Sequence, residues 1–375
     1  MNKKVRVGVI MGGLSGEHEV SLVSAASVIK ALDKNKFEVL PIGIAKDGKW
    51  LAGEEAVRAL KESSGNKLLT EKILLPDPNK KSLVAIKDRR VLAEKKLDVI
   101  VPIVHGTYGE DGKLQGLLEM ANIPYVGSGV LGSAVAMDKI VAKQIFESIG
   151  LLISKYHYFV KKDWTENQEE VIKRVEEKLS YPLFVKPANL GSSVGVNKAG
   201  NRVELKKAIS LAIKYDRRII VEEAVKEAKE IECSVLGNDR PEASVPGRVV
   251  PADEFYTYND KYVDGKTQFE IPAKLPKEVI RKIRELAIKV FKVLDLAGMA
   301  RVDFLLDRKN KIYVNEANTI PGFTKIGMYP KLWQATGLPY EKLLERLIDL
   351  AFERHRLKNQ LQTSYKPTTD WYKHE

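Results

Sequence analysis

Short apolar runs that stop at glycine and give way to helical spacing dominate the first part of the chain, and few folds accept that rhythm. Val5–Met11 is such a run, ended by Gly12-Gly13, as suits a buried parallel strand. Val20–Leu32 then has apolar residues at helical spacing, and Phe37–Ile44 reads as a second strand. Asp98–Val104, bounded by His105-Gly106, and the short Ile123–Val126 before Gly127 continue the series. Alternating strands and helices predict an open, mostly parallel α/β sheet. Lys61–Lys81 is polar, carries Pro76 and Pro78, and reads as a surface loop.

After about residue 130 the rhythm changes. Helical segments (Val171, Val175, Leu179; Leu205, Ile209, Ile213) alternate with short strands at Pro182–Val185 and Ile219–Val221. Residues 229–250 suggest consecutive strands, and Pro251–Lys266 a loop. Val279–Leu294 is an amphipathic helix, Met299–Leu306 and Lys311–Asn318 a strand pair, and Tyr340 to Arg356 a closing helix. This half predicts α+β architecture, ending in a polar tail over 358–375.

Composition narrows the function classes. The 375 residues include 62 Lys and Arg against 50 Asp and Glu, a net charge of +12. The basic residues are dispersed pairs mixed with acids (Lys80-Lys81, Arg89-Arg90, Arg217-Arg218), without an aromatic-interleaved patch, so a nucleic-acid-binding protein is the weaker alternative. No run of about 18 uncharged apolar residues predicts a membrane helix. The apolar start is interrupted too early for a signal peptide, and a cytoplasmic location is expected. One cysteine, Cys233, excludes an internal disulfide and reads as a packed small hydrophobe.

Several segments carry candidate chemistry. Gly127-Ser-Gly129-Val-Leu-Gly132 matches a dinucleotide fingerprint but lacks the acid about 20 residues on, so it reads as a tight turn before a helix. In Phe184-Val-Lys186-Pro-Ala-Asn-Leu-Gly191-Ser-Ser-Val-Gly195 a strand delivers Lys186 to a small-residue loop. That loop is either a phosphate cradle or a flexible turn beside an exposed lysine. Arg301 and Asp303 share one strand face, as do Glu316 and Asn318. Two carboxylates and an amide oxygen there favour a hard-oxygen Mg²⁺ site over a solvated ion pair. Glu17-His18-Glu19 opens a helix, where acids complement the dipole, and no zinc-protease spacing follows. His105 lies at the carboxyl end of a strand, where open α/β sheets bind ligands, whereas His18, His157, His355 and His374 carry no local argument.

Seven ordered strings resemble the D-alanine–D-alanine ligase family of ATP-grasp enzymes, from about Val5 to Arg354. They are Gly16-Glu-His-Glu-Val-Ser21, His105-Gly-Thr-Tyr-Gly-Glu-Asp-Gly112, Met137-Asp-Lys139, Lys186-Pro with Gly191-Ser-Ser-Val-Gly195, Asp260-Lys-Tyr262, Arg301-Val-Asp303 and Asn315-Glu-Ala-Asn-Thr-Ile-Pro-Gly-Phe-Thr324. The resemblance implies an N-terminal α/β domain (1–130), a central ATP-grasp subdomain (131–215) and a C-terminal ATP-grasp domain (216–357), with loop 251–267 closing over the site.

It further implies that Lys139, Lys186 and Lys261 meet the ATP phosphates, that Glu222, Glu223, Ala224 and Val225 face adenine, and that Glu230 binds ribose. Asp303, Glu316 and Asn318 would hold two Mg²⁺ ions, with Mn²⁺ as an alternative. Glu17 would hold the first D-alanine ammonium, in a network with Ser192 and Tyr262, His105 would lie by its carboxylate, and Arg301 with the Gly322 N–H would form the oxyanion hole. Gly327 and Met328 would lie at the second substrate, with Lys261 nearby. The implied product is D-alanyl-D-alanine for peptidoglycan, made through an acyl phosphate by a homodimer. Relatives using D-lactate or D-serine are the alternative, and Tyr262 favours the dipeptide. One departure is Gly327, where the family usually has serine; a lost hydroxyl predicts a second-site contact weaker by roughly 1 kcal/mol.

Overall fold

A computed structural model describes residues 3–53, 57–58, 60, 71–87, 90–191, 194–250, 268–325 and 327–365. Its first sheet has the order β3-β2-β1-β7, from β1 (Val5–Gly12), β2 (Phe37–Ile44), β3 (Trp50–Ala52) and β7 (Val99–Pro102). β2, β1 and β7 run parallel, with Val5 opposite Phe37 and Val7 opposite Val99. One face packs Val7, Val9 and Met11 against Leu22, Ala25 and Val28 of helix α1 (His18–Ala31), and the other packs Ile10 against Leu114 and Leu118 of α2 (Lys113–Met120). A strand covered on both faces reads as a continuous apolar run, as β1 does. Ile123–Val126 contributes only an isolated bridge, Tyr125 to Ile100.

The polar stretch read as a loop is partly strand. β4 (Lys72–Leu74) pairs with β5 (Ser82–Lys87), which pairs with β6 (Arg90–Lys96). Leu74 and Leu83 are buried in the core shared with Leu114, so tertiary packing overrides the local polarity.

Two antiparallel sheets follow. β8 (Tyr156–Val160), β9 (Leu183–Pro187), β10 (Asn197–Ala199) and β11 (Arg218–Glu223) form the order β10-β9-β11-β8, backed by α6 (Gln168–Lys178) and α7 (Arg202–Ala212); α5 (Lys161–Glu166) lies between β8 and α6. The expected boundary at 215/216 would cut β11 from the sheet to which it is hydrogen-bonded on both sides. Sheet pairing moves that break beyond Glu223.

The last sheet joins β12 (Lys229–Gly237), β13 (Glu242–Ala243), β14 (Gly247–Val250), β15 (Gln268–Glu270), β16 (Gly298–Leu306) and β17 (Ile312–Asn318). Ile283, Ala287, Val290 and Phe291 of α8 (Lys277–Val293) cover one face. Ile283, Val290 and Phe291 each contribute about 1.5–3 kcal/mol on burial; on the opposite face Leu236 and Met299 join the core that holds Tyr329 and Leu343, and the polar groups lie further along the strands. Helices α3 (Val130–Met137) and α4 (Lys139–Ser148) send Ala136 and Phe146 into the same core.

The glycine string at 127–132 serves packing. A Cβ at Gly132 would lie 2.4 Å from Asp295 O, and one at Gly298 2.9 Å from Gly127 N. The tight-turn reading holds, with Gly129 at the N-cap of α3. After α9 (Met328–Ala335), helix α10 (Tyr340–Asn359) returns to the first sheet, placing Leu343, Leu347 and Ile348 beside Val7 and Val9. Among the described residues no helix is long and apolar enough to cross a membrane.

Candidate active site

The face of the last sheet opposite α8 carries the acids. Along β16, Arg301, Asp303 and Leu305 are half-buried while their neighbours are buried, which is the two-residue alternation of a strand. Antiparallel register sets Asp303 opposite both Glu316 of β17 and Glu232 of β12, and Arg301 opposite Asn318. A register shift between Asp303 and Phe304 pairs Phe304 with Val314 and keeps Glu316 and Asn318 on the polar face. Arg301 donates to both Asp303 oxygens, at 2.8 and 2.7 Å, and its Nε lies 3.1 Å from Glu232 Oε2. Asn318 Nδ2 donates to Asp303 at 2.9 Å. Glu232, which sequence reasoning missed, shares a face with Glu230 by the same alternation and anchors Arg301 from the third strand.

The central sheet and helix α4 supply the lysines. In β9, Leu183, Val185 and Pro187 are buried while Phe184 and Lys186 are half-buried, so Lys186 lies on the face away from the helices. Its Nζ donates to Glu222 Oε2 at 2.7 Å, and Lys143 Nζ lies 3.1 Å from Glu222 Oε1. Burial opposes ionisation of Glu222, but Lys143 and then Lys186 overcome it and hold the carboxyl at about 2. For Lys186 burial is outweighed by Glu222 and Glu316, which raise it. The exposed-turn reading of the 186–195 segment therefore fails at Lys186 itself.

Asp138 is the N-cap of α4, accepting from Ile140 and Val141 N–H, and it also binds Arg218 and Asn189. This cap, worth about 1 kcal/mol, fixes Lys139 at the first helical position. Lys139 Nζ donates to Leu190 O at 2.7 Å and stands 3.7 Å from Glu316, so it spans the two sheets.

Glu17 belongs to a third set of groups. It sits at the N-cap of α1 without a side-chain capping bond and is 7% exposed, which does not suit a solvated dipole-complementing acid. A Cβ on Gly106 would fall 2.5 Å from Glu17 Oε2, and one on Gly191 2.6 Å from the same atom. Loops after β7 and β9 thus close on one carboxylate, and only glycine permits the approach.

His105 is buried, with Nδ1 2.8 Å from Ile320 O and Nε2 3.3 Å from Ser24 Oγ. Both ring nitrogens have protein partners, and burial lowers its pKa. Glu110, also overlooked in the sequence, accepts from Gly106 N–H at 2.9 Å and Ile320 N–H at 3.1 Å. Burial and then Glu17 raise Glu110 to about 7.

The remaining expected residues divide. Glu223 and Ala224 leave β11 with their N–H groups donating to Lys155 O and Pro182 O, and Val225 follows half-buried. Glu230 lies opposite Leu305, on the polar face. Gly327 caps α9, but its N–H donates to Thr324 O at 2.9 Å, and a Cβ there would lie 2.7 Å from Gly322 O. Met328 is buried beside Val249 and Leu332, which makes its thioether a core group. Ser192, Lys261, Tyr262 and loop 251–267 lie outside the described residues. His18 bonds Gly13 O and is structural, while burial pushes the Cys233 thiol up to about 12.

The donor set fits a hard divalent cation. Asp303 and Glu316 face each other across adjacent strands, with the Asn318 amide two pairs along on the same face.

Residues 6–128 match the family model described as D-ala D-ala ligase N-terminus, and residues 145–349 the one described as D-ala D-ala ligase C-terminus. A D-alanine--D-alanine ligase of Natranaerobius thermophilus is 49% identical over 364 residues, covering 97% of this chain and 99% of the relative. One from Geobacillus kaustophilus is 47% identical over 363 residues, with coverages of 97% and 99%. Among solved structures, the D-alanine-D-alanine ligase from Coxiella burnetii superposes with a TM-score of 0.81 at 36% identity, covering 95% of this chain and 96% of that one. The VanG D-Ala:D-Ser ligase from Enterococcus faecalis gives 0.82 at 34%, with coverages of 93% and 100%. Two antiparallel sheets, one carrying Lys186 and the other Asp303 and Glu316, with Lys139 of α4 reaching both, suit the ATP-grasp fold, and with these matches the chain belongs to the D-alanine–D-alanine ligase family.

Proposed function

We propose that this chain joins two D-alanine molecules at the expense of ATP, releasing ADP and phosphate and supplying D-alanyl-D-alanine for cell-wall synthesis. The observation that carries this reading is Lys139, which bridges the lysine-bearing central sheet and the acid-bearing last sheet through Leu190 and Glu316. Glu17 lies against Gly191, the next residue along from that Leu190 carbonyl. A nucleotide between the sheets and an amino acid at Glu17 would then be neighbours.

In the first step the carboxylate of D-alanine attacks the γ-phosphorus of ATP, and the bond to ADP breaks, leaving an acyl phosphate. In the second, the deprotonated amine of another D-alanine attacks the acyl carbon, and the bond to phosphate breaks. Phosphoryl transfer needs positioning and charge neutralisation. Lys139 and Lys186 provide positive charge for the phosphates, Glu222 to Val225 the adenine edge, and Glu230 the ribose contact. Mg²⁺, when bound by Asp303, Glu316 and Asn318, supplies further neutralisation. Glu17, a buried carboxylate, holds the ammonium of the first D-alanine. Arg301 and the Gly322 N–H receive the charge on the tetrahedral oxygen. The resemblance assigns Lys261 to the phosphates, Tyr262 and Ser192 to a network with Glu17, and closure against water to loop 251–267.

Phosphate release by the purified protein with ATP, Mg²⁺ and D-alanine tests the reading, with L-alanine and no amino acid as controls. Release with D-alanine alone, with the dipeptide found by mass spectrometry, is expected. Activity only on adding D-serine or D-lactate would favour the second reading, which the likeness to the VanG D-Ala:D-Ser ligase supports. A homodimer in the cytoplasm, without nucleic acid, completes the proposal; sizing in solution checks the dimer.

A further inference from the structure

Lys143 has no part in the reaction above, yet it is fully enclosed, with its side chain 1% exposed. It lies one turn after Lys139 on α4, and its Nζ donates to Ser154 Oγ at 3.0 Å. That same Nζ stands 3.1 Å from one oxygen of Glu222, while Lys186 donates to the other at 2.7 Å. Glu222 is thus held between two ammonium groups, one on each oxygen.

The charge balance gives this arrangement a consequence. Glu222 alone would cancel Lys186, and Glu316 and Glu230 also act on Lys186. An ammonium surrounded by acids presents little net field to an anion. A second buried ammonium on Glu222 offsets that carboxylate, so that the Lys143–Glu222–Lys186 set carries one net positive charge instead of none. Burial lowers the Lys143 pKa while Glu222 opposes the change, and Glu222 itself stays ionised.

We infer that Lys143 is a positioning residue of the nucleotide site: by occupying and neutralising one oxygen of Glu222, it frees the charge of Lys186 for a phosphate-bearing ligand and fixes where that charge stands. The inference rests on the reading that Lys186 meets the ATP phosphates.

The test is a double-mutant cycle on the full chain, reading the dissociation constant for ADP with Mg²⁺ by calorimetry and the KM values for ATP and D-alanine. Lys143→Met should weaken ADP binding and raise the ATP KM by about tenfold, leaving the D-alanine KM within about twofold. In a Glu222→Gln background the same change should cost less than about threefold, because no carboxylate remains to be offset. Lys143→Arg should bind ADP within about threefold of wild type. Wild-type ADP affinity in Lys143→Met, or an equal loss in both backgrounds, would overturn the inference. Should Lys143→Met alone not fold, Glu222→Gln and the double variant carry the comparison: equal ADP affinity is expected, and a further tenfold loss refutes it. Failure of the wild-type protein to bind ADP would instead strike the nucleotide reading.

Discussion

Arg301 and Asp303, two residues apart on β16, are locked face to face by two parallel hydrogen bonds of 2.8 and 2.7 Å. The pair unites the group that would stabilise an oxyanion with a group that would hold Mg²⁺. A cation reaching Asp303 would share its oxygens with the Arg301 fork, so that both groups meet on one carboxylate. Glu316, 3.7 Å from Lys139, carries the other carboxylate. Glu316→Gln should nearly abolish turnover and weaken Mg²⁺ dependence without altering the fold. Normal turnover in that variant, with circular dichroism unchanged, would sink the metal assignment.

Gly191, in the loop after β9, lies against Glu17. Gly191→Ala would place a methyl 2.6 Å from Glu17 Oε2 and push the carboxylate aside. The KM for D-alanine should rise at least about tenfold, while ADP binding changes little. Equal losses for both ligands would mean that Glu17 does not serve the amino acid.

Glu110 and His105 hold the two backbone groups of Ile320, the N–H and the carbonyl, just before the Gly322 turn. Burial and the neighbouring Glu17 raise the Glu110 carboxyl to about 7, above its ordinary 4.5. An acid raised in the folded state favours folding below its unfolded pKa, and that contribution is lost as pH rises through the folded value. Stability should therefore decline between about pH 4.5 and 7 more steeply in wild type than in Glu110→Gln. Denaturant titrations across that range check it; identical profiles would remove Glu110 from the account.

At Gly327 two effects oppose each other. Serine would restore a hydroxyl, but its Cβ would meet Gly322 O at 2.7 Å, and that atom is backbone that cannot swing away. We expect Gly327→Ser to lose about 1–3 kcal/mol of stability and not to lower the D-alanine KM. Unchanged stability with tighter second-substrate binding would show that the loop yields.

Much of the fold was legible locally. The continuous apolar β1, the amphipathic α8 and the β16–β17 pair follow from periodicities of two and 3.6 residues, which neighbours along the chain impose. The same period puts Arg301 with Asp303 on one strand face and Glu316 with Asn318 on another, and the β16–β17 register joins the two pairs. β4 escaped because Lys72 and its polar surroundings look like a loop until Leu74 meets Leu83. Glu232 and Glu110 escaped because their partners, Arg301 and Ile320, are far away along the chain.

The sequence by itself determined the alternation of strands and helices, the family strings, and which side chains share a strand face, because each is written in spacing over a few residues. Only the tertiary structure decided that Glu222 stands between Lys143 and Lys186, that Gly106 and Gly191 close on Glu17, and that α10 returns to cover β1. Those relations depend on how separate sheets and loops pack, and burial, which makes a charge costly unless paired, acts on residues that the sequence keeps far apart.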